Sequence, residues 1–150
     1  MTSLRVGIIG CGSFAQSFIR LFQLHPWVDD VVLCDLDPEK LAENAARWEA
    51  SATIASLDEV CADPSIDAVA LFTQNWMHAP QAMQALAAGK HVYSAVPTGI
   101  EVDEIRDLVK AVETSGLVYM IGETSYYYPA VLYCRRRFHA GDFGRPVYGE

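Results

Sequence analysis

The amino-acid sequence predicts an α/β fold with a doubly wound parallel sheet, and two observations carry that prediction. Apolar runs of strand length alternate with amphipathic segments of helix length along the chain. The first run, LRVGIIG at 4–10, is almost uninterrupted, which is typical of a parallel strand buried on both faces. Strands that alternate with helices at this spacing are joined by right-handed βαβ crossovers, and these build a doubly wound sheet.

The first half of the chain supplies three strands. The helix after the strand at 4–10 is predicted from one apolar stripe, formed by Phe14, Phe18, Leu21 and Phe22. VVLCD at 31–35 is the second strand, and Asp37 with Pro38 signals the N-cap and first turn of a second helix. We expect that helix to bury Leu41, Ala45 and Trp48. ATIA at 52–55 predicts a short third strand, with a small helix after it.

The second half repeats the alternation. Strands four, five and six are predicted at 66–73, 91–96 and 117–122. The helix after the fourth strand extends to about Ala88 and is closed by Gly89. The helix after the fifth strand carries Ile105, Leu108, Val109 and Val112 and ends at Gly116. A further helix is predicted at 128–139.

Composition narrows the classes of function. The net charge of −8 argues against nucleic acid or an anionic membrane as a partner, because both require a basic face. No apolar run approaches the ~20 residues of a membrane span. We expect no signal peptide, because the sequence enters a strand within its first residues. The cysteines are widely spaced, so we expect reduced thiols in a cytoplasmic protein. No cluster of histidine, cysteine and acidic residues has the spacing of a metal site.

A loop that fits a phosphate group follows the first strand. Gly10, Gly12 and Ala15 form the pattern G-x-G-x-x-A. The first glycine allows a tight turn, the second lets the backbone approach a pyrophosphate, and the alanine keeps the helix close to the sheet. The backbone N–H groups around Ser13 and Phe14 open the helix, where its dipole favours an anion.

An acidic residue ends the second strand. Asp35 lies 23 residues after Gly12, where a carboxylate accepts hydrogen bonds from the adenosine ribose and repels a 2′-phosphate. Leu36 follows at the position where an NADP-binding chain would offer arginine. The sequence therefore predicts a Rossmann domain that binds NAD, with NADP less favoured. The alternative is a structural turn followed by a chance acidic residue.

Two later stretches, TQNWMH at 73–78 and GKHVYSAVPTG at 89–99, complete a resemblance to the Gfo/Idh/MocA oxidoreductases. The resemblance implies an N-terminal Rossmann domain, a C-terminal α/β domain, and oxidation or reduction of sugars, cyclitols and related polyols with NAD(P). It also implies that Thr73, Asn75 and His78 line the cofactor. For the histidine, the alternative is an ordinary polar residue in the first turn of a helix.

The fifth strand departs from the family pattern. Members commonly read H-V-x-x-E-K-P, with the lysine near the nicotinamide and the glutamate on the cofactor side of the site. Here the stretch is HVYSAVP at 91–97, so Ala95 replaces the glutamate and Val96 replaces the lysine. We expect Val96 and Pro97 to line the cofactor, with the valine as an apolar wall.

A working dehydrogenase would then need another acid/base group. Within this chain we favour Glu123, because it follows the sixth strand at the edge of the sheet where ligands bind. Tyr126 falls where the family usually has arginine. The tyrosines are expected to cover an inter-domain surface, and these are Tyr93, Tyr126, Tyr127 and Tyr128.

The end of the chain predicts a second domain. RPVYGE at 145–150 begins like a strand, so we assign 1–143 to the dinucleotide-binding domain and 144–150 to the start of a C-terminal α/β domain. We expect that missing domain to supply substrate contacts and a homo-oligomer interface, and the present chain alone to be inactive. The alternatives are a catalytically inactive NAD-binding sensor or regulatory protein, and an enzyme that uses NAD transiently without net redox.

Overall fold

The six predicted strands form one parallel sheet in the computed structural model, which describes residues 3–145 and 147–148. The strands are β1 Leu4–Ile9, β2 Val28–Cys34, β3 Ala52–Ile54, β4 Ala68–Leu71, β5 His91–Ala95 and β6 Tyr119–Gly122. Their order across the sheet is β3-β2-β1-β4-β5-β6, which confirms the doubly wound fold. The direction of winding reverses between β1 and β4, and ligands of such sheets bind beside this switch point.

In the described part of the chain, five helices lie between successive strands as predicted, and a sixth follows β6. They are α1 Gln16–Leu24, α2 Pro38–Trp48, α3 Leu57–Ala62, α4 His78–Ala87, α5 Val102–Ser115 and α6 Pro129–His139. Short 3-10 turns, Asn75–Met77 and Ser125–Tyr127, precede α4 and α6. Asp37 caps α2 as expected, because its carboxylate accepts hydrogen bonds from the backbone N–H groups of Glu39 and Lys40.

Two apolar cores flank the sheet. Ile8 packs into the core that includes Ile19 of α1. The next residue, Ile9, packs into the opposite core, together with Leu86 of α4 and Leu108 of α5. Successive side chains of a strand point to opposite faces, so a strand between two helical layers has to be apolar at every position.

The predicted apolar stripe of α1 is partly wrong. Phe14 lies in the turn before the helix, and both Phe14 and Leu21 are exposed. Ile19 is the fully buried residue of α1, while Phe18 and Phe22 pack at the border of the core. The helical phase begins at Gln16, so a stripe counted from the turn does not face the sheet.

Smaller differences concern burial and strand ends. In α2 the residue buried beside Leu41 is Asn44, and Ala45 is only half-buried. Asn44 can be buried because its side chain forms the hydrogen bonds described below. In α5, Leu108 is buried and Val109 is exposed. The structure begins β2 at Val28 instead of residue 31, and β4 is shorter than predicted at both ends.

The strand predicted at 145–150 is not observed in the part that the structure describes. Pro146, Gly149 and Glu150 lie outside the described residues. Arg145, Val147 and Tyr148 form no strand. The assignment of 144–150 to a second domain therefore stays a prediction. Among the described residues, the helices are all too short or too polar to cross a membrane.

A buried lysine fastens the amino-terminal side of the sheet. Lys90 is 5% exposed, and its Nζ donates hydrogen bonds to the carbonyl oxygens of Asp63 (2.6 Å) and Ile66 (2.8 Å). The two carbonyls lie just after α3, so this contact joins the end of that helix to the start of β5.

Lys90→Met should lower the free energy of unfolding by about 2–3 kcal/mol, because two carbonyls lose a charged donor. Lys110→Met is the matched control, since Lys110 is exposed and pairs only with Asp107 on the same helix face (2.9 Å). It should have little effect. Urea denaturation measures both, and equal losses would contradict the role given to Lys90.

Candidate dinucleotide-binding site

A cleft with a volume of about 350 Å³ opens at the carboxyl ends of β1, β2 and β4. It brings together four residues that the sequence predicts as cofactor ligands, namely Gly10, Gly12, Asp35 and Thr73. The rest of its lining is Ile9, Cys34, Leu36, Asp37, Lys40, Leu57, Phe72, Gln74, Met77 and Gln81. The cleft thus lies at the switch point of the sheet, where the fold favours a ligand.

The two glycines of the loop are required for different reasons. Gly10 has φ +88°, its N–H donates to the carbonyl oxygen of Cys34, and a Cβ there would lie 2.9 Å from the carbonyl oxygen of Phe72. A Cβ on Gly12 would meet no atom within 4 Å. The fold itself therefore excludes a side chain at Gly10, whereas at Gly12 a side chain would occupy open space in the cleft.

The start of α1 offers donors to an anion. Within the described residues, the backbone N–H groups of Gly12, Ser13 and Phe14 donate no hydrogen bond. Ala15 is fully buried between α1 and the sheet, so the helix approaches the strands closely, as predicted. Unpaired N–H groups at a helix N-terminus are suited to a phosphate.

Asp35 is tied to the loop it faces. Its Oδ2 accepts a hydrogen bond from the backbone N–H of Cys11 (2.8 Å), and its Oδ1 accepts one from the N–H of Asp37 (3.0 Å). The Nζ of Lys40 lies 3.7 Å from Oδ1. A carboxylate has about four acceptor sites, so these bonds leave capacity for ribose hydroxyl groups.

A polar network that sequence reasoning missed supports the loop from behind. Gln16 and Asn44 donate through their side-chain amides to the carbonyl oxygen of Cys11 (3.1 and 3.4 Å), and Gln16 also donates to Asn44. The indole N–H of Trp48 donates to Gln16 Oε1 (2.8 Å). Asn44 stands three residues after Leu41 on the buried face of α2, and a polar residue at that spacing is the signal that could have found it.

The cysteines near the loop are packing residues. Cys11 and Cys34 are buried. Burial, followed by the negative charge of Asp35, raises the pKa of the Cys11 thiol to about 11. Burial raises the pKa of Cys34 to about 12. A thiol that stays protonated at neutral pH is a poor nucleophile.

The stretch after β4 divides into exposed and buried residues. Thr73 borders the cleft, and its hydroxyl donates to Gln81 Oε1 (2.5 Å). Asn75 is exposed at the start of the 3-10 turn. His78 is 1% exposed, with Nδ1 at 2.7 Å from the carbonyl oxygen of Pro97 and Nε2 at 3.1 Å from that of Thr73. The histidine predicted as a cofactor contact is therefore enclosed by backbone.

At the end of β5 the two unusual residues differ in exposure. Ala95 is 4% exposed and belongs to the core that contains α1. Val96 is 40% exposed, and the bond between it and Pro97 is cis. Neither Val96 nor Pro97 lines the 350 Å³ cleft, so their contact with the cofactor stays a prediction.

The predicted acid/base candidate lies on the neighbouring strand end. Ala95 pairs with Gly122 across β5 and β6, which places Glu123 alongside Val96 at the carboxyl edge. Glu123 is exposed, and its Oε1 accepts a hydrogen bond from the backbone N–H of Ser125 (2.7 Å). One carboxylate oxygen thus has a backbone partner, and its catalytic role stays a prediction.

The tyrosines fall into two groups. Tyr93 packs against the rings of Phe22 and Phe72, and burial raises the pKa of its phenol. Tyr93 therefore packs against the core and does not lie on the expected inter-domain surface. Tyr126, Tyr127 and Tyr128 are exposed, and the guanidinium of Arg135 lies 4.0 Å from the centre of the Tyr126 ring.

The chain matches the oxidoreductase family with an NAD-binding Rossmann fold over residues 4–123. It belongs to the Gfo/Idh/MocA family. Membership confirms the resemblance that the glycine loop, Asp35 and the two later stretches indicate. It makes residues 4–123 an NAD-binding Rossmann domain of an oxidoreductase family.

Curated relatives span several activities. The chain is 28% identical over 141 residues to 2,7-anhydro-N-acetylneuraminate hydratase of Escherichia coli, covering 94% of this chain and 37% of the relative. It is 30% identical over 139 residues to 4-carboxy-2-hydroxymuconate-6-semialdehyde dehydrogenase of a Sphingobium species, covering 93% and 44%. The chain therefore spans less than half the length of these two relatives.

Solved structures share the fold. The crystal structure of myo-inositol 2-dehydrogenase from Lactobacillus plantarum superposes with a TM-score of 0.90 at 23% identity. The superposition covers 98% of this chain and 44% of that one. The present chain therefore shares its six-stranded Rossmann fold with that structure.

Gly12→Val should abolish NAD binding and leave the melting temperature near that of the wild type, because the added side chain meets cleft space instead of protein. Gly10→Ala should lower the melting temperature, because its Cβ would lie too close to the carbonyl oxygen of Phe72 and because the positive φ disfavours a side chain. Calorimetric titration with NAD and a thermal melt measure the two effects. Retained NAD binding in Gly12→Val would place the dinucleotide elsewhere.

Proposed function

We propose that this chain is the cofactor domain of an NAD-dependent oxidoreductase that acts on a sugar-like or polyol substrate. One observation carries the proposal: the carboxylate of Asp35 borders the same cleft as the open space over Gly12 and the start of α1. A pyrophosphate over the loop would lie beside unpaired N–H groups, and the attached adenosine ribose would reach Asp35.

The preference for NAD over NADP rests on charge. Asp35 presents a negative carboxylate where a 2′-phosphate of NADP would lie, and Leu36 next to it is exposed and apolar. The nearby cation is Lys40, whose Nζ lies 3.7 Å from Asp35 and 3.8 Å from Asp37. With one ammonium between two carboxylates, the local charge disfavours a phosphate.

The substrate class is proposed from the family and from the names of relatives, which include an inositol dehydrogenase. A bound NAD would supply the hydride acceptor for a carbinol carbon of the substrate, and a base on the protein would take the hydroxyl proton. The part of this chain is to hold the dinucleotide by its loop, to orient it across the switch point, and to offer Glu123 beside Val96 as the base.

A second domain and a homo-oligomer in the cytoplasm complete the proposal. The exposure of α6 supports the proposal of a second domain. The helix packs against the 3-10 turn at Ser125–Tyr127, and none of its residues is buried. Large apolar side chains of β6 and α6 are also exposed, among them Met120, Ile121 and Phe138. A helix and an edge strand of this kind require further protein to cover them.

A second candidate is an enzyme that uses NAD without net oxidation. The E. coli relative is named a hydratase. Ala95 and Val96 also stand where the family commonly has glutamate and lysine. A regulatory protein without turnover is less favoured, because the named relatives are enzymes.

Cofactor preference should respond in opposite directions to two substitutions. Asp35→Ser should narrow the NAD-over-NADP ratio of affinities by about tenfold, equivalent to ~1.4 kcal/mol, because it removes the charge that repels the 2′-phosphate. Lys40→Met should widen the ratio, because it removes the cation nearest that position. Calorimetric titrations with both dinucleotides measure this, and equal wild-type affinities would refute the assignment of Asp35.

Glu123→Gln should lower kcat by about 100-fold or more in a protein that includes the predicted second domain, because an amide cannot accept the proton. The glutamine oxygen can still accept the bond from the N–H of Ser125, so stability should not change. Glu113→Gln on the exposed face of α5 is the control. An unchanged kcat in Glu123→Gln would mean that the base lies elsewhere.

A further inference from the structure

One buried imidazole joins the two loops that follow β4 and β5. His78 is the first residue of α4, and its ring nitrogens lie 2.7 Å from the carbonyl oxygen of Pro97 and 3.1 Å from that of Thr73. Thr73 follows β4 and Pro97 follows β5. With 1% of the residue exposed, no surface of the ring is left for a ligand.

The chemistry of the two contacts requires a donor at this position. Carbonyl oxygens only accept hydrogen bonds, and an imidazole donates from whichever of its ring nitrogens carries a proton. A buried carbonyl that loses its donor costs the full desolvation of that group. A neutral imidazole donates to one of the two carbonyls and an imidazolium donates to both, and in either form the ring lies between the backbone of two separate strand ends.

The loop after β5 is held at its other end as well. Glu104 of α5 accepts hydrogen bonds from the backbone N–H groups of Ile100 (3.3 Å) and Glu101 (3.2 Å). Gly99 packs so closely on α4 that a Cβ there would lie 3.2 Å from the Cβ of Ala79. His78 supplies the anchor nearest in sequence to Val96, the residue of this loop that the family resemblance implies would lie near the nicotinamide.

A doubly wound sheet divides a dinucleotide between its two halves. The half with β1 and β2 holds the adenosine and pyrophosphate, and the half with β4 and β5 takes the other nucleotide. We infer that His78 is a positioning residue for the nicotinamide half: it fixes the carbonyls of Thr73 and Pro97 relative to each other without touching the cofactor. This inference rests on the proposed NAD site and replaces direct contact by His78.

The test compares NAD with ADP, which contains only the adenosine and pyrophosphate portion. His78→Leu should weaken NAD binding by about tenfold and leave ADP binding within about twofold, because one or two anchoring hydrogen bonds are lost in one half of the site. His78→Gln keeps an N–H donor and should lose less. It also tests the inference if the leucine variant does not fold.

His91→Gln is the matched control. His91 lies at the opposite end of β5, and its Nδ1 accepts a hydrogen bond from the backbone N–H of Val118 (3.0 Å). Its ring therefore also contacts backbone, but away from the cleft. Both affinities should remain as in the wild type.

Three results would overturn the inference. Unchanged NAD affinity in both His78 variants would remove the role, and a parallel loss of NAD and ADP affinity would reduce it to general stability. The imidazole nitrogen chemical shifts of His78 in isotopically labelled protein should not move when NAD binds, and a large shift would indicate direct contact instead. Wild-type protein that binds ADP but not NAD, or neither, would contradict the proposed function itself.

Discussion

The close approach of three strand ends at Gly10 is the constraint on which the rest of the site depends. The N–H of this residue bonds to the end of β2, while its Cα faces the carbonyl of Phe72 after β4 at a distance that admits no side chain. The positive φ then turns the chain toward α1. Because β1 lies between β2 and β4, this single turn sets where the loop, Asp35 and Thr73 meet.

The loop after β1 and the loops after β4 and β5 are stabilised by different side-chain hydrogen bonds. At the loop after β1, the side-chain amides of Gln16 and Asn44 donate to the carbonyl oxygen of Cys11, and Asp35 accepts from the N–H of the same residue. At the loops after β4 and β5, the ring nitrogens of His78 lie 2.7 Å from the carbonyl oxygen of Pro97 and 3.1 Å from that of Thr73. In both places, buried or half-buried polar side chains form hydrogen bonds with backbone groups of the loops. The loops can therefore be ordered without secondary structure of their own.

The unusual end of β5 has a physical explanation in part. Ala95 is enclosed by the core, where an ionised side chain would need a partner that the surrounding apolar residues do not supply. Val96 is exposed, and as an apolar residue it needs no such partner. The absence of the family's glutamate and lysine at Ala95 and Val96 is therefore compatible with the packing around them. The acidic residue next to these positions at the sheet edge is Glu123.

Local patterns in the sequence determined the fold, the glycine loop, Asp35 and the cap at Asp37, because each depends on residues close together in the chain and on a fixed period. The same patterns misplaced the buried face of α1, since the phase of a helix depends on where its first turn begins. Only the tertiary structure showed that Asn44 and Gln16 support the loop and that His78 faces Pro97. The contacts of Asn44 with Cys11 and of His78 with Pro97 join residues far apart in sequence, and no local period encodes which acceptor a polar side chain will meet.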